Sequence, residues 1–224
     1  MPTKPRLSSY VLRYDDGAAP NPFWGTCTLV ICKPKIRSEA QVGDWIVGLG
    51  AAKTSLHPDY RGKIVYAMKV TSKLTMKDYD TYVKEHLPRK EPQINSDDWR
   101  MRLGDSLYDF SAKGIPQRPG VHRRSNRKTD IGGKNALLSS EFVYYGRNAI
   151  PLPEELKGIL HAGQGHRSNK NDDYIPTFER WWEAIRPKKG ESPIKGDPQL
   201  ELDPLKKKLC AIRRQKESED DLAS

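Results

Sequence analysis

Apolar and polar positions alternate in short runs along the first third of the chain, a pattern typical of β-strands. The run at 25–32 is nearly continuously apolar, which predicts a strand buried on both faces. Pro34 then limits this strand, because proline cannot donate a ladder hydrogen bond. The residues after it, 38–42, form a short connection. The strands predicted in this part of the chain are residues 8–14, 25–32, 45–49 and 63–71.

Two segments carry a helical period instead. Thr75 is placed to cap a helix that runs to residue 85. The second helix, 175–186, has an aromatic and aliphatic stripe that we expect to pack on the barrel. This stripe consists of Phe178, Trp181, Trp182 and Ile185. A further strand region is predicted at 136–146, and a shorter helix at 153–160.

The domain organisation follows from these elements and from composition. Residues 87–134 are rich in Pro, Gly, Arg and Asn, which is typical of a functional or disordered loop. The hydrophobic content of 36% and mean hydropathy of −0.79 indicate that part of the chain lies outside a packed core. We therefore predict one α+β domain over 1–187, a mixed β-barrel decorated by helices, and a charged, mobile tail at 188–224.

The cysteines are Cys27, Cys32 and Cys210, and they lack the spacing of a zinc site. Cys27 and Cys32 fall within an apolar strand pattern, so we interpret them as reduced core residues. The sequence predicts no metal and no cofactor. It has no apolar run of about 18 residues, which a membrane span requires. We expect a cytoplasmic protein without a membrane partner.

Charge adds a partner class. The net charge of +10 and the pI of about 9.4 favour polyanions. Residues 113–128 contain no acidic side chain, which suggests an arm that contacts phosphates, although a solvated surface loop gives the same pattern. The predicted phosphate-binding residues are Lys33, Lys35, Arg37, Arg118, Arg123, Arg124, Arg127 and Lys128.

The loop from Asp15 to Trp24 is dense in aromatic, Asn and Pro residues. Aromatic rings can stack on a base, and carboxylate or amide groups can read its edge. The predicted base-binding residues are Asp15, Asn21, Phe23, Trp24, Tyr108, Tyr144 and Tyr145. The alternative is that Phe23 and Trp24 are core residues and that Asn-Pro forms a turn.

An enzymatic interpretation rests on carboxylates near a histidine. A carboxylate that orients an imidazole forms a general acid/base pair. The candidate catalytic residues are Asp15, Asp105, His122 and Asp130. The alternative is that Asp-Gly and Gly-Asp form turns and that His122 is solvated. The sequence contains no nucleophile-elbow, P-loop or dinucleotide-binding motif.

A family resemblance is carried by several motifs. They are YDDGAAPNPFWG at 14–25, CKPKIR at 32–37, VGDWIVG at 42–48, KIVYAMKVT at 63–71, GDSLY at 104–108 and FVYYG at 142–146. Over about residues 8–160, the chain resembles the second of the nucleotide-modification-associated domain families. This resemblance implies a role with modified nucleotides. Gly43-Asp44, the strand from Ile64 and the following helix are similar to the PUA-like ASCH and EVE domains, which implies a PUA-like barrel and RNA or modified-base binding.

The predicted function is a nucleic-acid-binding module that recognises a base, expected to be modified, in an aromatic and polar pocket, linked to DNA or RNA modification or restriction. The alternative is a small enzyme that hydrolyses or alters a modified base or nucleotide. A third class is a scaffold whose basic C-terminal segment docks a protein partner. Nucleic acid is the predicted partner for the first two.

Overall fold

The computed structural model describes residues 4–160, 166–167 and 170–200, and it confirms the predicted α+β class. The strands are β1 (Leu7–Leu12), β2 (Cys27–Leu29), β3 (Trp45–Gly50), β4 (Lys63–Lys69), β5 (Ser72–Thr75), β6 (Asn135–Ser139), β7 (Glu141–Tyr144), β8 (Ile150–Pro151) and β9 (His166–Arg167). The α-helices are α1 (Pro34–Glu39), α2 (Met76–His86), α3 (Arg127–Gly132) and α4 (Ile175–Ile185). Short 3₁₀ helices span Pro88–Lys90, Trp99–Leu103, Arg124–Asn126, Gly146–Asn148, Glu154–Ile159 and Asp172–Tyr174.

The strands form two sheets. The larger has the order β7-β4-β3-β1-β9, with β8 paired to the start of β4, and the smaller has the order β2-β6-β5. Strands β1 and β3 are parallel, whereas the other strand pairs are antiparallel. The chain passes from the larger to the smaller sheet between β4 and β5 and returns between β6 and β7. Among the described residues the sheets do not close, so the predicted PUA-like barrel is not confirmed.

Successive side chains of β3 point to opposite faces of the larger sheet and pack into two separate apolar clusters. Trp45 and Val47 pack with α4, while Ile46 joins the apolar cluster shared with the smaller sheet. The Trp45 ring lies 5.1 Å from Phe178 and 4.9 Å from Trp182 between centroids. Such aromatic pairs contribute about 0.5–1.5 kcal/mol beyond the burial of their area. The predicted aromatic helix is present, and it packs on the larger sheet rather than on a closed barrel.

At the other helices, the residues at the helix start explain where the structure agrees with the sequence predictions and where it differs from them. The Thr75 hydroxyl accepts a hydrogen bond from the Asp78 amide at 3.1 Å, which confirms the predicted cap of α2. At Pro34, where a strand limit was predicted, α1 begins instead. Proline suits the first helical turn because its fixed φ is already helical and no amide is needed there. The predicted helix at 153–160 is a 3₁₀ helix over Glu154–Ile159.

The long basic loop is tied to the domain by ion pairs. Arg118 contacts Asp80 at 2.8 Å and Glu91 at 3.3 Å. Part of the predicted tail is also packed, since the Leu200 amide donates to the Asp15 carbonyl at 2.9 Å. Residues 201–224 of that tail lie outside the described residues. None of the helices in the described ranges has the length and apolarity needed to cross a membrane.

Candidate active site

The turn between β2 and α1 holds Cys32 in an unusual backbone conformation. Cys32 has φ 59° and Lys33 has φ 40°, so two successive residues other than glycine occupy the left-handed region. Such conformations carry a cost and persist where surrounding contacts hold them, often at functional sites. Here the Cys32 amide donates to Asp130 Oδ1 at 3.1 Å, and the Cys32 carbonyl accepts from Arg37 Nε at 2.7 Å.

Cys32 faces a histidine that is oriented by a carboxylate. The Cys32 Sγ lies 3.4 Å from His122 Nε2, and His122 Nδ1 lies 2.7 Å from Asp130 Oδ2. With Nδ1–H donating to the carboxylate, Nε2 is directed at the sulfur. This order of thiol, imidazole and carboxylate is the geometry of an activated nucleophile.

Access to the three groups differs. Cys32 is partly exposed, whereas His122 is 4% exposed and Asp130 is fully buried. A third partner holds the carboxylate, because the Tyr108 hydroxyl donates to Asp130 Oδ2 at 2.8 Å. Cys32 is therefore the most exposed residue of the three, and its two partners are shielded from water.

The electrostatics favour a charged imidazole. Burial alone lowers the pKa of His122, but Asp130 and Cys32 more than offset it, so this pKa is raised to about 10. Burial raises the pKa of Asp130, but His122 and Arg37 outweigh it, so the net shift is downward. The imidazole beside the Cys32 sulfur is therefore protonated at neutral pH.

Arg37 lies beneath this arrangement with no exposed surface. Its side chain donates to the carbonyl of Cys32, already described, and to three others on α3 and β6. These are the carbonyls of Thr129 at 3.2 Å, Asp130 at 2.7 Å and Asn135 at 2.9 Å. Burial lowers the pKa of Arg37 to about 10, an effect that Asp130 partly offsets.

Comparison with protein-family models identifies the family of this chain. The family model described as nucleotide modification associated domain 2 matches residues 4–201. This chain belongs to that family. The predicted resemblance is confirmed, over a longer span than its motifs covered. Neither a curated protein nor a solved structure matched the chain. The family name implies a role in nucleotide modification systems.

The predicted phosphate-binding residues of this nucleotide-modification-associated domain divide into two groups. Four are exposed on α1, α3 and the segment beside His122, and they form what we term the cationic rim. The cationic rim consists of Lys35, Arg123, Arg124 and Lys128.

The remaining predicted phosphate ligands have internal contacts. Arg118 forms the ion pairs given above, and Arg37 is buried among carbonyls. Arg127 lies over the Tyr108 ring at 5.4 Å and donates to the Ile115 carbonyl at 2.7 Å. Lys33 is partly buried, with its Nζ 5.0 Å from the Tyr10 ring centroid. In this conformation the buried Arg37 cannot reach a phosphate, which corrects the expectation drawn from the basic CKPKIR motif.

The predicted base-binding loop turns inward rather than lining a mouth. Asp15 and Asn21 are fully buried, and Phe23 is 5% exposed. The Tyr144 hydroxyl donates to both Asp15 oxygens, at 2.8 and 2.7 Å. Asn21 exchanges two backbone hydrogen bonds with Thr28. Asp15, Asn21 and Phe23 have no face or edge open to a base, and for Phe23 the alternative interpretation as a core residue fits better.

Trp24 is the partly exposed aromatic residue of that loop. Its ring lies 5.0 Å from the guanidinium carbons of both Arg89 and Arg100, and its Nε1 has no hydrogen-bond partner. Tyr108 and Tyr145 are 1% and 9% exposed. The structure therefore does not bring the predicted base-binding residues together on one accessible surface.

Asp105, another predicted catalytic residue, belongs to a closed network. It is fully buried and accepts from the Tyr79 hydroxyl at 2.6 Å and from Thr28. Lys90 lies in the same network, also fully buried. Among the described residues, no group of three or more His, Cys, Asp and Glu side chains could hold a metal ion.

Cys32 was missed as a functional residue, whereas His122 and Asp130 were predicted. The expectation that Cys32 is a core residue arose from the apolar run before it. The signal that could have found it is the Cys32-Lys-Pro34 boundary, where a strand gives way to a helix that proline starts. The partner His122 is 90 positions away, so local patterning does not connect the two residues.

Proposed function

We propose that this chain is a thiol-dependent enzyme of a nucleotide modification system, with Cys32 as nucleophile, His122 as acid and base, and Asp130 as the orienting carboxylate. The observation that carries the proposal is the contact of Cys32 Sγ with His122 Nε2 at 3.4 Å, backed by the 2.7 Å contact between His122 and Asp130. This is the enzymatic alternative from the sequence, with a nucleophile added.

The reaction class that this arrangement fits is acyl transfer or amide hydrolysis. The Cys32 thiolate attacks a carbonyl carbon of the substrate and forms a new C–S bond. His122 gives its proton to the departing amine or alcohol as the old C–N or C–O bond breaks. Water or a second amine then attacks the thioester, His122 accepts a proton from it, and the Cys32 sulfur leaves.

The second part of the proposal concerns the substrate. The cationic rim supports a substrate in which the acyl or amide group is attached to a nucleotide or nucleic acid. The rim residues are exposed on α1, on α3 and on the segment beside His122, which are the elements next to Cys32 and its two partners, and exposed cations suit phosphate groups. Base recognition is proposed beside Cys32 rather than in the loop from Asp15 to Trp24, since that loop is largely buried.

A generic activated ester tests the covalent step. Para-nitrophenyl acetate should acetylate Cys32 in the wild-type protein, with the modified peptide identified by mass spectrometry. His122→Ala should lose most of this acetylation because the Cys32 sulfur loses the acid/base group that contacts it. Cys27→Ala is the matched control, because Cys27 is fully buried and should not react. Equal acetylation in wild type and His122→Ala would contradict the proposal.

Binding tests the nucleic-acid part. Cys32→Ser should bind short oligonucleotides with an affinity that falls steeply as salt rises, by a slope of about 0.7 to 0.9 for each phosphate contact. The pair Lys35→Gln and Lys128→Gln should lower both affinity and slope. Lys188→Gln with Lys189→Gln is the control, since both lysines are exposed after α4, which packs on the larger sheet. An unchanged slope in the rim variant counts against the rim.

A further inference from the structure

The contacts of Arg37 join segments that lie about 90 residues apart in the sequence. Each N–H of its guanidinium has an acceptor. Nε–H meets the Cys32 carbonyl, Nη1 meets the Asn135 carbonyl and the Met76 sulfur, and Nη2 meets the carbonyls of Thr129 and Asp130. The distances are 2.7 Å, 2.9 Å, 3.6 Å, 3.2 Å and 2.7 Å in that order.

Two of these acceptors belong to the proposed triad. One guanidinium therefore joins the backbone of the nucleophile, Cys32, to the backbone of the carboxylate, Asp130. None of its five acceptors is a carboxylate. The Asp130 carboxylate, which contacts His122, partly offsets the cost of burying the positive charge of Arg37. A surface arginine tied by one ion pair could not couple these two segments.

The chain also leaves space for this group. A Cβ added at Gly133 would overlap the guanidinium of Arg37. Gly133 has φ −69°, which any residue can adopt, so the glycine is needed for space and not for its backbone angle. Gly133 follows α3, the helix whose last turns supply two of the Arg37 acceptors. The close approach of Arg37 to α3 thus depends on a missing side chain.

We infer that Arg37 is a positioning residue, which holds the strained Cys32 turn and Asp130 in register so that the sulfur meets His122. This inference rests on the proposed function. The planar fork of arginine fits the geometry, since five fixed donors reach five acceptors at once. Lysine, with three donors on a flexible stem, would keep the charge but not the register.

The test measures alkylation of Cys32 by iodoacetamide against pH, quantified on the Cys32 peptide, in wild type, Arg37→Ala, Arg37→Lys and Gly133→Ala. Arg37→Ala should slow alkylation near neutral pH on the order of 100-fold, as expected when a reacting group shifts by about 1 Å. Millimolar guanidinium chloride should restore part of the rate in Arg37→Ala and leave the wild type unchanged. Arg37→Lys should resemble Arg37→Ala.

Gly133→Ala keeps the arginine but displaces it, so it should reproduce the loss without rescue by guanidinium. This variant also serves if Arg37→Ala does not fold. Arg61→Ala is the control, since Arg61 is exposed and pairs with Asp59. The inference is overturned if folded Arg37→Ala or Gly133→Ala keeps the wild-type rate and pH profile, or if Arg37→Ala loses rate that guanidinium does not restore. A wild-type rate that His122→Ala leaves unchanged would instead overturn the proposed function.

Discussion

Two buried carboxylates in this domain have similar immediate surroundings, but only one of them is connected through hydrogen bonds to a partly exposed residue. Asp130 and Asp105 are both fully buried, and each accepts a hydrogen bond from a tyrosine hydroxyl. Each also lies near a buried cation, Arg37 for Asp130 and Lys90 for Asp105. Buried charge of this kind is costly unless it is paired and hydrogen-bonded.

The neighbours of the two carboxylates differ. The Lys90 Nζ contacts oxygens of Asn21, Thr26 and Thr28 within the core, and that network ends there. Asp130 contacts His122, which faces the partly exposed sulfur of Cys32. The comparison teaches that buried polar groups alone do not mark a site. A reactive atom at the solvent end of the network does.

The largest difference between the two networks should appear on removing the sulfur. Cys32→Ala should abolish covalent acetylation by para-nitrophenyl acetate, because no other described residue is placed against His122 as a nucleophile. It should change the free energy of unfolding by less than about 1 kcal/mol, since the residue is partly exposed. Intact-protein and peptide mass spectrometry with urea unfolding measure both. Retained acetylation of the Cys32→Ala chain would contradict the assignment.

Removing the buried cation of the closed network should affect stability instead. Lys90→Met leaves Asp105 without its buried cation and should lower the free energy of unfolding by about 3–5 kcal/mol. Urea unfolding measures this loss. Alkylation of Cys32, measured where the variant is folded, should stay at the wild-type rate. A strong loss of Cys32 reactivity in folded Lys90→Met would show that the networks are coupled.

Matched amide substitutions compare the carboxylates directly. Asp130→Asn should slow alkylation of Cys32 by about 100-fold or more, because the neutral amide removes the negative charge that stabilises the His122 imidazolium and orients its ring. Asp105→Asn should leave this rate unchanged, because no contact links Asp105 to His122 in the described structure. Equal rates of Cys32 alkylation in the two variants would contradict the conclusion that Asp130, but not Asp105, supports the Cys32 site.

The pH dependence of stability should have opposite signs in the two networks. The pKa of His122 is raised from 6.5 to about 10, so its contribution is fully present below pH 6.5 and is lost as pH rises through 10. Burial lowers the pKa of Lys90 from 10.5 to about 8, partly offset by Asp105. The unfolded chain then holds that proton more tightly, so the contribution of Lys90 becomes more favourable between pH 8 and 10.5.

Urea unfolding across this pH range separates the two contributions. The stability difference between wild type and His122→Asn should shrink as pH rises toward 10. Relative to Lys90→Met, the wild type should gain stability between pH 8 and 10.5. Slopes of the reverse sign in either pair would contradict the assigned charge states.

The sequence predicted elements whose signals are local. The Thr75 cap, the aromatic period of α4 and the strand at 45–49 each depend on one short segment, and the structure contains all three. Helix α1 was missed because proline both ends strands and begins helices, and only the following contacts decide which.

The thiol site depended on distant residues. His122 and Asp130 were predicted from their own loop, but the sulfur that they meet comes from a turn about 90 residues earlier. The inward burial of Asp15 and Asn21 was equally out of reach, because it depends on Tyr144 and on residues near the end of the described chain. Tertiary contacts of this kind have no signature in local patterning.

The most direct measurement of the central claim is the rate of Cys32 alkylation against pH in wild type and His122→Ala, quantified on the Cys32 peptide. The account predicts that Cys32 is alkylated faster in the wild type than in His122→Ala and with a pH profile of different shape, because His122 Nε2 lies 3.4 Å from Cys32 Sγ and acts as its acid and base. Superimposable profiles for the two proteins would contradict the account.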